Sequence, residues 1–145
     1  MGTKLEGRQS AGHLTNRVAR LFARRIDDKL KALGLSSGHL PVFFALSAGE
    51  EMSQKGLVEF AAIEQPTMAA TLSRMERDGL VERQPDPRDG RGSLIRLTPT
   101  AMKKVRDVRA AIHTGNAEAL AGFSDAEKDL YLDMLRRILA NLEAG

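Results

Sequence analysis

Two short stretches gather the side chains best suited to chemistry at a surface. The first is Gln65, Thr67, Thr71, Ser73 and Arg74, which fall on a segment with helical spacing. The second is Arg88, Asp89 and Arg91, inside the run Pro-Asp-Pro-Arg-Asp-Gly-Arg-Gly, which is dense in turn residues. Neither set is built to make or break bonds. Amide, hydroxyl and guanidinium groups donate and accept hydrogen bonds. Gln pairs bidentately with adenine, Thr reaches a base edge, a phosphate or a thymine methyl, and Arg suits the negative potential of a narrow groove.

Catalysis finds no matching constellation. Ser, His and Asp occur without triad spacing, and no glycine-rich strand-to-helix turn could cradle a phosphate. The paired carboxylates Asp27–Asp28 and Glu50–Glu51 are sequence neighbours, so on a helix they face apart. The chain has no Cys, which excludes disulfides, thiolate metal sites and thiol redox sensing. His13, His39 and His113 are scattered, so no metal site and no cofactor are expected. The reading is a protein that is not an enzyme.

These residues need a scaffold, and 145 residues suffice for one domain with an ordinary core. Hydrophobic residues make up 42% and charged residues 28%, the balance of a globular chain. Lys plus Arg number 22 against 19 acids, a net charge of +3 that tolerates a polyanion without demanding one. No apolar run approaches the ~20 residues that span a bilayer, and the N-terminus shows no signal peptide. A cytoplasmic location without a membrane partner is the default expectation.

Residues 1–10 read as a patternless lead-in. Leu14, Val18, Leu21, Phe22, Ile26, Leu30 and Leu33 form one apolar face of a first helix, stopped at Gly34. Its other face carries Arg17, Arg20, Arg24, Arg25, Lys29 and Lys31, most simply a solvated face. A second helix spans 37–47, with Pro41 making its first turn irregular. Ser53 caps a short helix over 54–63 that buries Leu57, Phe60 and Ala61. Pro66 starts the next helix, over 66–78, with Met68, Leu72 and Met75 inward and the polar set outward. Residues 80–84 and 94–97 are strand candidates, joined as a hairpin with a long arginine-bearing tip. Thr98–Pro99 starts a helix carrying Met102, Val105, Val108 and Ile112, weakened at Gly115 and ended by Gly122. The capping box Ser124-Asp-Ala-Glu127 opens the last helix, whose apolar stripe (Leu130, Tyr131, Met134, Leu135, Ile138, Leu139, Leu142) is too wide for one buried face.

The order of helix, short helix, turn, helix and hairpin is that of a winged helix-turn-helix, a mainly α fold in which one helix fits the major groove and a β-hairpin reaches beside it. A winged helix that bound protein instead would present an apolar outer face, and Thr67, Thr71 and Arg74 argue against that alternative.

Over residues 53–98 the chain resembles the MarR family of bacterial transcriptional regulators. The resemblance rests on Ile-Glu-Gln-Pro-Thr-Met from Ile63, on Arg-Met-Glu-Arg-Asp-Gly-Leu-Val-Glu-Arg from Arg74, and on Asp-Pro-Arg-Asp-Gly-Arg from Asp86 followed by Leu97-Thr98. It extends through the flanking helices to nearly all of 11–143. It implies a homodimer in which residues 11–35 and 99–143 form the dimerisation helices, while 36–98 form the DNA-binding domain. It implies a repressor that binds double-stranded DNA at a pseudo-palindromic operator through Gln65, Thr67, Thr71, Ser73, Arg74, Arg88 and Arg91. It also implies that Asp89 holds Arg74, bracing the wing, and that a small aromatic or anionic effector binds between the dimerisation helices and the winged domain. The chain departs from the family pattern at Pro41, at Gly56 in the short helix, and at Ala62, where the usual Gly of the turn is replaced and a different backbone shape is expected.

Overall fold

Capping side chains set most helix starts. The structure, a computed structural model, describes residues 4–145. Helix α1 (Ala11–Leu30) begins after Ser10, whose hydroxyl accepts from the His13 amide at 3.2 Å. Part of the expected lead-in is ordered against it, because Gly7–Gln9 form a 3-10 turn; residues 1–3 of that stretch lie outside the described residues. After α1 the chain tightens into a 3-10 turn, Lys31–Leu33, and stops at Gly34 in the left-handed conformation (φ +72).

Helix α2 (Leu40–Leu46) carries Pro41 in its first turn, where no intrahelical N–H is required. The preceding residues Ser37–His39 form a 3-10 turn, the irregular start expected of the proline. Helix α3 (Gln54–Ala61) starts at Ser53, whose hydroxyl accepts from the Gly56 amide at 3.0 Å. It ends earlier than the sequence suggested, at Ala62, which takes φ +52 and ψ +42. The turn therefore keeps the left-handed shape that glycine usually supplies, contrary to the expectation of a different one. Phe60 is also a correction, since it is 53% exposed. The inward face of α3 centres on Leu57, with Val58 and Ala61 partly buried. On the helical wheel Phe60 lies about 60° from Leu57 on the side away from Val58 and Ala61, at the edge of the arc that the core covers.

Helix α4 (Gln65–Arg77) follows with Pro66 in its first turn. Strands β1 (Val81–Asp86) and β2 (Asp89–Leu97) form an antiparallel ladder running from Val81↔Leu97 to Asp86↔Asp89, with a register shift between Pro85 and Asp86. Both strands are longer than expected and the long tip does not exist. Only Pro87 and Arg88 lie between the strands. The Asp86 carboxylate accepts from the Arg88 amide at 2.9 Å and the Asp89 carboxylate from the Arg91 amide at 3.0 Å. These local bonds turn the chain tightly enough for Asp86 to pair with Asp89, with residues 90–92 bulged between that pair and Pro85↔Ser93. Met52, between α2 and α3, bridges Ile95 on the other side of β2, with N–O separations of 3.1 and 2.7 Å.

Thr98 caps α5 (Pro99–Met102), accepting from the Ala101 amide at 3.2 Å. The single long helix expected here is broken at Lys103–Lys104 before α6 (Val105–Ala119). The Lys104 ammonium donates to the Leu33 carbonyl at 2.6 Å, satisfying an oxygen at the end of the first helical segment. Gly115 does not interrupt α6. It is buried, and a Cβ there would lie 3.6 Å from Ile26 Cδ1, so it is where α1 and α6 cross closely. Helix α7 (Asp125–Glu143) starts at the expected reciprocal box, Ser124 and Glu127, with bonds of 3.1 and 2.9 Å.

One continuous core joins these elements. Leu30 of α1, Val42 and Leu46 of α2, Leu57 of α3, Met68, Leu72 and Met75 of α4, and Ile95 of β2 are almost wholly inaccessible. Ala101 and Val108 complete it from below. Asp27 ties α1 to the next segment by accepting from the Ser37 amide at 2.6 Å. Helix α7 contributes no buried residue.

Candidate nucleic-acid interface

The two faces of α4 divide cleanly. Met68, Thr71, Leu72 and Met75 are buried. Gln65, Pro66, Thr67, Ala70, Ser73, Arg74 and Arg77 are exposed. Five of the sequence-derived candidates are therefore confronted with a simple test of accessibility. Gln65, Thr67, Ser73 and Arg74 stand on the outer side. Thr71 does not: it is only 8% exposed, beside Leu72 and one turn below Met75. The correction has a geometric cause. Threonine is short and its type leaves its facing open, but position 71 lies 60° from Met68 on the helical wheel, inside the arc that the core claims.

The outer ridge also contains residues the sequence reading passed over. Ala70 sits between Pro66 and Arg74 and allows another surface to approach the helix backbone closely. Arg77 closes the ridge, where its guanidinium bonds the Asp78 carboxylate at 3.1 Å. That hydrogen bond holds Asp78 below the ordinary carboxylate range and raises Arg77 above its ordinary value. The helical period alone could have identified both residues, because they repeat from Pro66 at the spacing of one face.

Short α3 props the start of α4. The Gln54 amide donates from Nε2 to Gln65 Oε1 at 3.0 Å, joining the first residues of the two helices. At the other end of α4, Glu76 accepts from Arg83 of β1 at 2.7 Å, so the wing is tied to the helix by an ion pair. The Thr98 hydroxyl donates to the Gly79 carbonyl at 2.6 Å, and its amide donates to the Leu80 carbonyl at 3.0 Å. At the base of the wing Arg96 reaches Glu82 at 2.7 Å and Glu51 at 3.5 Å, linking both strands to the segment before α3.

The brace expected between Asp89 and Arg74 is not formed. Among the described residues no ion pair joins them; Asp89 serves the Arg91 amide instead. A backbone N–H two residues away is reached without ordering a distant side chain, so the local bond forms first. Glu76 and Arg83, which the sequence reading did not single out, supply the connection between helix and wing. Arg88 stands at the tip and Arg91 on β2 rather than in a loop, and both are exposed. Among the described residues the guanidinium groups of Arg74, Arg88 and Arg91 enter no ion pair within the chain, which leaves their charge available to an anion.

Residues 33–92 match the MarR family. The uncharacterized HTH-type transcriptional regulator YwoH of Bacillus subtilis (strain 168) is 32% identical over 127 residues, covering 88% of this chain and 92% of its own. Among solved structures, the PcaV transcriptional regulator from Streptomyces coelicolor in complex with its natural ligand is similar, with 26% identity, a TM-score of 0.81, and coverage of 96% of this chain and 98% of its own. A MarR family transcriptional regulator from Listeria monocytogenes complexed with 26mer DNA shares the fold at a TM-score of 0.84 and 19% identity, over 92% of this chain and 89% of its own. A polar-faced helix locked to a basic hairpin, on a chain with these relatives, identifies it: the protein belongs to the MarR family of winged-helix, DNA-binding transcriptional regulators.

Proposed function

We propose that the protein is a homodimeric repressor that reads a pseudo-palindromic operator. The observation that carries the reading is the outer face of α4, accessible and polar beside a wing whose Arg88 and Arg91 are exposed and enter no ion pair among the described residues. Gln65, Thr67 and Ser73 are the groups for base edges, and Arg74, Arg88 and Arg91 those for phosphate or the minor groove. The DNA held by the Listeria protein of the same fold supports this use of the scaffold. Residues 36–98 would be the reading unit and residues 11–35 with 99–143 the dimerisation region.

Dimerisation is supported by what the chain leaves uncovered. Leu130, Met134, Ile138, Leu139 and Leu142 of α7 are between 42% and 73% exposed. Leu14, Val18 and Leu21 of α1 are at least 40% exposed. Exposed apolar surface of this extent marks an interface. A cavity of about 420 Å³ bordered by Val18, Leu21, Leu120 and Phe123 opens onto the same surface. Two-fold symmetry would place equivalent half-sites about one helical turn, ~10 bp, apart.

A smaller cavity, about 250 Å³, lies between α1, α2 and α6, lined by Phe22, Arg25, Leu40, Phe44, Ile112 and Asn116. It joins the two regions, and its aromatic rings and Arg25 suit an aromatic anion, the effector class proposed here. An effector would act only by binding two arrangements of the wings with different affinity.

Selection of duplexes from a random library, followed by footprinting, tests the reading directly. A protected pseudo-palindrome bound by two chains is the expected result. Arg91→Ala should weaken binding and lower the slope of log K against log salt by about 1. Uniform weak binding to every duplex would overturn the proposal and favour a protein-binding winged helix.

A further inference from the structure

We propose that Gln54 is a positioning residue for sequence reading, setting the orientation in which Gln65 meets a base. The inference rests on the DNA-reading function above and adds a residue to it. A lone glutamine at the start of a reading helix is a poor discriminator. Its terminal torsion is broad, and either end of its amide can face outward. Here that freedom is reduced from within the chain, because one end of the Gln65 amide is held by Gln54. Gln54 stands on the first residue of α3 and is half-buried, whereas Gln65 stands exposed on the first residue of α4. The 3.0 Å bond from Gln54 Nε2 to Gln65 Oε1 assigns one lone pair of that oxygen. Gln65 keeps its NH2 group and the second lone pair of Oε1, side by side. That is the donor and acceptor pair complementary to adenine N7 and N6–H. Gln54 itself need not touch DNA to do this. Its effect is to keep Gln65 in one state before binding, so that less side-chain freedom is lost on contact.

The pairing has a structural basis of its own. Ser53 caps α3 by accepting from the Gly56 amide, which places Gln54 at the helix start, and the left-handed Ala62 brings the chain back so that α4 begins beside it. The two amides meet because the helix-turn-helix folds them together, and they are far apart along the chain.

The test uses the full-length protein and the duplex it selects from a random library, permuted at each base pair. Gln65→Ala first identifies the pair whose preference depends on that side chain. Gln54→Ala should then reduce discrimination at that same pair by roughly tenfold, with preferences elsewhere and the salt slope unchanged. Added to Gln65→Ala, it should have no further effect. Gln54→Glu keeps the shape and suits a helix N-terminus, but carries no donor. The Gln65 amide must turn to offer Nε2 to the carboxylate, so the base ranked first at that pair should change. The inference is overturned if discrimination survives Gln54→Ala, or if affinity falls equally for all duplexes with a shallower salt slope, which would make Gln54 a phosphate contact. It is overturned as well if Gln54→Glu behaves as wild type. A wild-type protein that selects no sequence would fail the DNA-reading function itself, which is a distinct result.

Discussion

The winged unit and the last helix solve opposite problems with the same kind of apolar periodicity. In α4 the apolar side closes completely: Met68 is 1% exposed, and Leu72 and Met75 are 0% exposed. In α7 a wider stripe over 19 residues closes only in part: Tyr131 and Leu135 are half-buried, and no residue of the helix is buried. A 13-residue helix with three turns on a core is stabilised by its own chain. The longer helix, with so little packing, leaves apolar surface that its own chain does not cover. The lesson is that amphipathic pattern states how much apolar surface an element must bury and leaves open whether that burial happens within one chain.

The contrast breaks most visibly at Ile138. On the isolated chain it is 43% exposed, so Ile138→Glu should be nearly harmless if α7 faces water. If a second copy covers it, a carboxylate is buried without a partner. We expect loss of the dimer in sedimentation equilibrium, together with a melting temperature that no longer rises with protein concentration. Leu72→Ala probes the other side of the comparison. It should cost about 2–5 kcal/mol in denaturant unfolding, because its cavity lies in a core that cannot collapse freely.

A smaller effect, of opposite sign, is expected at Ala62. The left-handed conformation penalises a Cβ by about 1–2 kcal/mol, part of which glycine returns through its freer unfolded state. Ala62→Gly should therefore stabilise the fold by up to about 1 kcal/mol, read as a higher denaturation midpoint with an unchanged slope.

The smallest change concerns the Lys29–Glu118 pair that ties α1 to α6 at 2.9 Å. The Lys29 hydrogen bond holds the Glu118 carboxyl below its ordinary value, with the Lys29 and Arg25 charges adding to it. Its contribution is present above the unfolded carboxylate value and fades as pH falls through the folded one. Exposed pairs of this sort stabilise little. Glu118→Gln should thus flatten slightly the acid limb of the stability profile and leave neutral pH almost unchanged, as followed by thermal melts across pH.

Sequence was most informative wherever the deciding chemistry lay within a turn of the residue concerned. Ser53, Thr98 and Ser124 announce helix starts because a hydroxyl caps an amide three positions on, at 3.0, 3.2 and 3.1 Å. Gly34, Gly79 and Gly122 stand at left-handed positions for the same local reason. Period and composition therefore determined the helices, the hairpin, the reading helix with most of its outer polar residues, and the excess apolar surface of α7. Tertiary structure decided the rest. Thr71 and Phe60 differ from expectation because their facing depends on how wide an arc the neighbouring elements cover. Asp89 turned to a nearby amide, and Glu76 with Arg83 took over the link between helix and wing. Gln54 and Gln65 met only through the fold of the turn. The Glu76–Arg83 and Gln54–Gln65 pairs join residues on different elements, where no local spacing encodes the partner, whereas Asp89 met an amide two residues on, a local bond that competed with the distant one.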